Sequence, residues 1–123
     1  DQREPSRAPT DLAWPHYGTR RPMTIMTGRR TFSAPEAVAY ALQQEQRAIV
    51  VGSPSAGGAN MIDEAAPLPL GFRVGIPNRR PVGRITGSNW EGLGVQPDVE
   101  APGDAALWQA WETVRQALND TNA

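Results

Sequence analysis

Two residue types are missing altogether from the 123 residues: cysteine and lysine. Without cysteine there is no disulfide frame, no thiolate nucleophile and no cysteine-based zinc site. The compartment stays open on that ground, because disulfide-free chains work on both sides of a membrane. Without lysine, all twelve basic residues are arginine, and no residue of this chain can serve as a lysine general base or form a Schiff base. Histidine is nearly missing too, with His16 the single one. No run approaches the ~18 continuous apolar residues of a membrane-spanning helix. A net charge of -1 lacks the basic surplus that a nucleic-acid or anionic-membrane partner requires, so neither is expected. Asp63 and Glu64 form an acidic pair without the ligand clustering of a metal site, so neither metal nor cofactor is expected.

What is present fits one compact domain: 39% apolar residues, 20% charged residues, and twelve each of glycine and proline, which make turns frequent. Arginine in place of lysine, with much alanine and proline, points to a GC-rich bacterial source and carries no function. The chain starts at Asp1 with neither an initiator methionine nor a signal-like segment, so it reads as a piece of a longer polypeptide. Residues 1–16 mix charge with prolines and show no period; they are expected to be an irregular lead-in to a body over 17–123.

Pro22 to Thr27 suits a short, largely buried strand. A short connection, Gly28 to Phe32, leads to Ser33-Ala34-Pro35-Glu36, an S-x-x-E capping box with proline in the first turn. Ala34, Val38, Ala41 and Leu42 then recur at helical spacing through about Gln46, and Ala48 to Gly52 is a continuous apolar run of the kind found in strands buried on both faces. Strand, helix and strand make a βαβ crossover. Ser55 to Asn60 is a small-residue loop, residues 61–70 are irregular, Phe72 to Pro77 alternates like a strand, and 82–86 reads as a second extended stretch. A final amphipathic helix begins near Asp104, with Leu107, Trp108, Trp111, Val114 and Leu118 along the face expected to be core.

Ser33 is the first candidate for chemistry. A hydroxyl at a helix N-terminus sits beside unpaired backbone N–H groups and the positive end of the helix dipole, which stabilise negative charge on an attacked carbonyl oxygen. By spacing alone, the same residue is an ordinary helix cap.

The wording of the chain adds to this. T-F-S-A-P-E-A-V-A-Y-A-L (31–42), R-A-I-V-V-G (47–52), S-A-G-G-A (55–59), G-F-R-V-G-I-P (71–77) and N-W-E-G-L-G-V-Q-P-D-V (89–99) resemble, in order and spacing, the tail-specific protease family of serine peptidases. The branch most similar contains interphotoreceptor retinoid-binding protein modules, their bacterial relatives and tricorn-like proteases. The resemblance implies an α/β fold of the Clp-protease/crotonase type, a spiral of ββα units of which this chain is the C-terminal part, with the βαβ unit and the C-terminal amphipathic helix. It also implies serine endopeptidase activity. Ser33 would be the nucleophile and the backbone N–H of Ala34 an oxyanion donor, with a second donor from a Gly-rich segment upstream. Many family members place a lysine in the Gly-rich loop that follows the nucleophile; here the matching position is Gly58, so a Ser–Lys dyad cannot form. The tricorn-like branch resembles a Ser–His–Glu arrangement with its glutamate in an N-W-E-G-type segment, and Glu91 matches that glutamate.

The base in those relatives lies far upstream. His16 comes too soon before Ser33 to match it and is read as a loop histidine, so the isolated chain is expected to lack turnover. Gly57 and Gly58 are candidate substrate-binding positions. Arg29-Arg30 and Arg79-Arg80 read as solvated turn pairs with the geometry to take a carboxylate. The expected partners are a peptide or protein substrate, the missing N-terminal half of the domain, and a second copy joined through exposed sheet edges. A periplasmic, envelope or secreted setting follows from where many relatives work. The alternative on the same scaffold is a non-catalytic module for apolar, retinoid-like or lipid ligands.

Overall fold

The computed structural model describes residues 17–121. Its centre is a parallel sheet built by the expected crossover. Strand β1 (Thr24–Thr27) leads through helix α1 (Ala34–Gln44) to β2 (Ile49–Gly52), and the two strands pair in parallel from Thr24 opposite Ile49 to Thr27 opposite Gly52. Further along the chain, β3 (Ala66–Pro67) and β4 (Arg73–Val74) form a small antiparallel pair. Strand β5 (Val99–Glu100) then joins the other side of β2, giving the order β1-β2-β5. Helix α2 (Ala105–Thr121) closes the chain, starting directly after Asp104. The result is an α/β chain with a parallel sheet and a C-terminal helix.

Successive side chains of a strand point to opposite faces, and β2 shows what that does here. Val50, fully buried, packs with Ala39 of α1, Ala59, Trp90 and Val95, whereas Val51, equally buried, packs with Ala101 and with Ala110 of α2. The apolar run therefore lies between two layers. One face of the sheet is covered by α1 and the other by α2, and among the described residues the outer edges of β1 and β5 have no strand partner.

Several expectations are corrected. Strand β1 is shorter than 22–27, and Met26 is 49% exposed. The 72–77 strand shrinks to Arg73–Val74, and its partner lies inside the stretch read as irregular. Residues 82–86 form a closed turn, with Gly83 N–H bonded to Ser88 O at 2.7 Å and Gly87 N–H to Gly83 O at 2.8 Å. Trp108 and Trp111 are not core. They are 65% and 53% exposed, as Leu107 is at 66%, because α2 meets the sheet through Ala106 and Ala110 instead. Alanine permits the closest approach of helix to sheet, so the bulky side chains lie on the outward face, where the two indoles stack at 5.1 Å.

Candidate active site

Ser33 lies where the connection from β1 enters α1, exposed to solvent, with φ 62° and ψ -117°. A non-glycine residue with this backbone is uncommon and costs about 1–3 kcal/mol, a strain that persists only where the surroundings over-determine it. The surroundings here are visible. Thr31 N–H bonds Gly28 O at 2.8 Å, Ala56 N–H bonds Thr31 O at 2.9 Å, and Ala37 N–H bonds Ser33 O at 3.1 Å. The capping box is present, and Glu36 supplies its return arm, accepting the Ser33 N–H at 2.7 Å. Ala34 is the first residue of α1.

Glu36 does much more than cap a helix. It is fully buried, and its Oε1 accepts from Ser55 Oγ and from Gly57 N–H, both at 2.6 Å. Its Oε2 takes Gly58 N–H at 3.0 Å as well as Ser33 N–H. Burial by itself would raise the carboxyl's pKa; the bonds from Ser55, Gly57, Gly58 and Ser33 outweigh it and hold the group below its ordinary value of 4.5. Ser55 Oγ in turn accepts Val95 N–H at 2.7 Å. One carboxylate thus ties the nucleophile candidate to the small-residue loop and to the segment beyond it.

Glu91 grips the same loop from its other end. Its Oε2 accepts Ala59 N–H at 2.8 Å and Asn60 N–H at 2.7 Å. Four consecutive N–H groups are therefore shared two and two between the carboxylates: Gly57 and Gly58 to Glu36, Ala59 and Asn60 to Glu91. Glu91 is exposed, while its neighbour Trp90 is buried among Ala39, Val50 and Val95 and anchors the turn. Gly92 N–H adds a bond to Gly57 O at 2.8 Å.

Gly57 has φ 89°, and a Cβ there would press on the backbone of Gly92 and Gly94 at 3.0 Å, so glycine is required. At Gly58 a Cβ would run into the Phe32 ring. The position matched to the family's lysine is thus beside the serine's turn, with an aromatic ring where a longer side chain would begin.

Of the remaining candidates, His16 lies outside the described residues. Arg79 pairs with Asp63 at 2.7 Å on the surface. Among the described residues no group of three or more potential ligands gathers, and no helix is long and apolar enough to cross a membrane. The residue undervalued from sequence is Glu36. Its spacing marked a cap, and only the adjacent run of small residues in 55–59 hinted that backbone could close over its carboxylate.

This chain belongs to peptidase family S41, whose model matches residues 1–101. Among solved structures, a photosystem II D1 C-terminal processing protease is 27% identical over 66% of this chain and 20% of its own, with a TM-score of 0.56. Mature CPAF complexed with lactacystin is 20% identical over 77% of this chain and 19% of its own, TM-score 0.60. Mature CPAF in a separate structure is 18% identical over 83% and 21%, TM-score 0.53. The chain spans about a fifth of the length of these structures.

Proposed function

We propose that this chain carries the nucleophile side of a tail-specific serine endopeptidase site. Ser33 attacks the peptide carbonyl, and a histidine contributed by polypeptide other than the described residues takes its proton. Glu91 orients that histidine and stabilises the imidazolium, Ala34 N–H helps hold the oxyanion, and Gly57 and Gly58 line the substrate's path. The spiral of ββα units and an envelope or secreted location belong to the same proposal, by analogy with the family.

The observation that carries it is Ser33 held exposed, at positive φ, in the mouth of α1 by a buried carboxylate. An ordinary cap needs no such strain. Its test is reaction of the full-length protein with a fluorophosphonate probe. Labelling is expected at Ser33, and Ser33→Ala is expected to abolish both labelling and peptide hydrolysis while leaving the thermal unfolding curve in place. Hydrolysis at near-wild-type rate in that variant rules the assignment out.

One observation favours the second reading, an apolar-ligand module. A cleft of about 300 Å³ is lined by Tyr40, Val82, Ile85 and Trp90 on the flank of α1, within the lower range of small-ligand sites. Lack of probe labelling together with saturable uptake of a fluorescent fatty acid decides for that alternative.

A further inference from the structure

Helix α2 meets the sheet through Ala106 and Ala110. On its outward side Asp104, Trp108, Trp111, Arg115 and Leu118 all stand exposed among the described residues. They follow one another at intervals of four, three, four and three residues. That alternation averages about 3.5 residues and keeps side chains in one stripe, the spacing of a seam between paired helices. Leu107 flanks the stripe, and with Asp104 and the two indoles it lines a hollow of about 440 Å³. The order along the stripe selects a partner. Asp104 stands four residues before Trp108, and Arg115 stands four after Trp111. Turning the helix end for end about the midpoint of the tryptophan pair therefore exchanges acid with base and indole with indole. Both charged ends keep bonding capacity. Asp104 has no ion pair or side-chain hydrogen bond among the described residues, and Arg115 gives only Nε and Nη2 to Glu112.

We infer that this face of α2 binds the same face of a second copy of the protein, the two helices lying antiparallel across a two-fold axis. Trp108 then packs on the partner's Trp111, and Asp104 faces the partner's Arg115 at each end of the seam. A two-fold contact has to be self-complementary, with residue i meeting j and j meeting i, and the stripe meets that condition. A parallel pairing fails it, because like charges would meet at both ends. The apolar area is small. Four indoles bring roughly 600–1,000 Å² together, short of the ~1,200 Å² of a stable interface, so the pairing is transient and sets in above micromolar concentrations. Helix α1, with Ser33 at its mouth, packs on the other face of the sheet. The contact therefore leaves that turn free and does not depend on the peptidase reading.

The test is sedimentation equilibrium of the full-length protein at submillimolar concentration and low ionic strength. Wild type is expected to form dimers. Asp104→Arg and Arg115→Asp, each alone, set like charges against one another at both ends of the seam and are each expected to weaken dimerisation about fivefold or more. An equimolar mixture of the two variants has opposite charges at both ends again and is expected to dimerise within about twofold of wild type. Pairing through the edge of β1 would not follow that pattern. Trp108→Ser changes no charge and is expected to weaken dimerisation about tenfold or more with the melting curve little changed; it decides the matter even where a charge variant fails to fold. A mixture no stronger than its components, or a Trp108→Ser protein that dimerises like wild type, overturns the proposal. Wild-type protein that stays monomeric overturns it too: tryptophans shielded from acrylamide would then assign the face to other polypeptide of the same protein, and freely quenched ones to a different partner.

Discussion

Glu36 shows how much one side chain can decide. A buried carboxylate is tolerated only when its lone pairs are taken up, and here one hydroxyl and three amide donors from two stretches of chain do so. Glu36→Gln keeps the volume but brings an NH2 against these donors; a loss of about 2–4 kcal/mol is expected at pH 7, read from urea unfolding. The pH dependence follows from the lowered pKa. The carboxylate's contribution is complete above its unfolded value near 4.5, fades below it, and is lost as pH falls through the lower folded value. The variant's stability is therefore expected to fall less steeply than the wild type's below pH 4.5; parallel acid limbs would show that another group sets them. The capping box and the candidate serine were legible in the sequence, because spacing along one helix turn fixes them. The burial of Glu36 was not, since its donors Ser55, Gly57 and Gly58 come from a loop on the far side of β2.

At the scale of elements, the βαβ unit was readable because each part carries its own period or run. Failures cluster where pairing is short or where facing partners decide the outcome. Strand β5 has two residues, and its signal lies in Asp98, whose Oδ2 accepts Val50 N–H at 2.7 Å. Helix α2 was located correctly but turned the wrong way, because its larger residues define one amphipathic face while the sheet accepts only the alanines. This gives a paired prediction. Ala110→Leu overfills the space against Val51 and Ala101 and is expected to cost about 1–3 kcal/mol. Trp108→Ser removes only an outward ring contact, for a loss of at most about 1 kcal/mol. Denaturant midpoints of both variants compared with wild type check this; a larger loss at Trp108 than at Ala110 would reverse the orientation argued here.

For the whole molecule, the balance of buried and exposed apolar residues is inverted. The described residues bury nine hydrophobic side chains, five of them alanine, while eighteen large ones, including Phe32, Phe72, Trp108 and Trp111, stand more than a third exposed. Leu107 and the stacked Trp108 and Trp111 line one apolar hollow among these, and an exposed apolar patch marks contact with other polypeptide. The sheet points the same way, since among the described residues β1 pairs only with β2 and has no strand on its other edge, a template for a further strand. The 123-residue chain alone is therefore expected to self-associate through β1, with its sedimentation coefficient rising over micromolar concentrations. Met26→Lys places a charge on the half-exposed edge position, and charge at an edge opposes strand addition, so that variant is expected to sediment as a monomer at the same concentrations. A wild-type chain that stays monomeric throughout would mean that twist or local side chains already protect the edge, and the β1 contact would have to be abandoned.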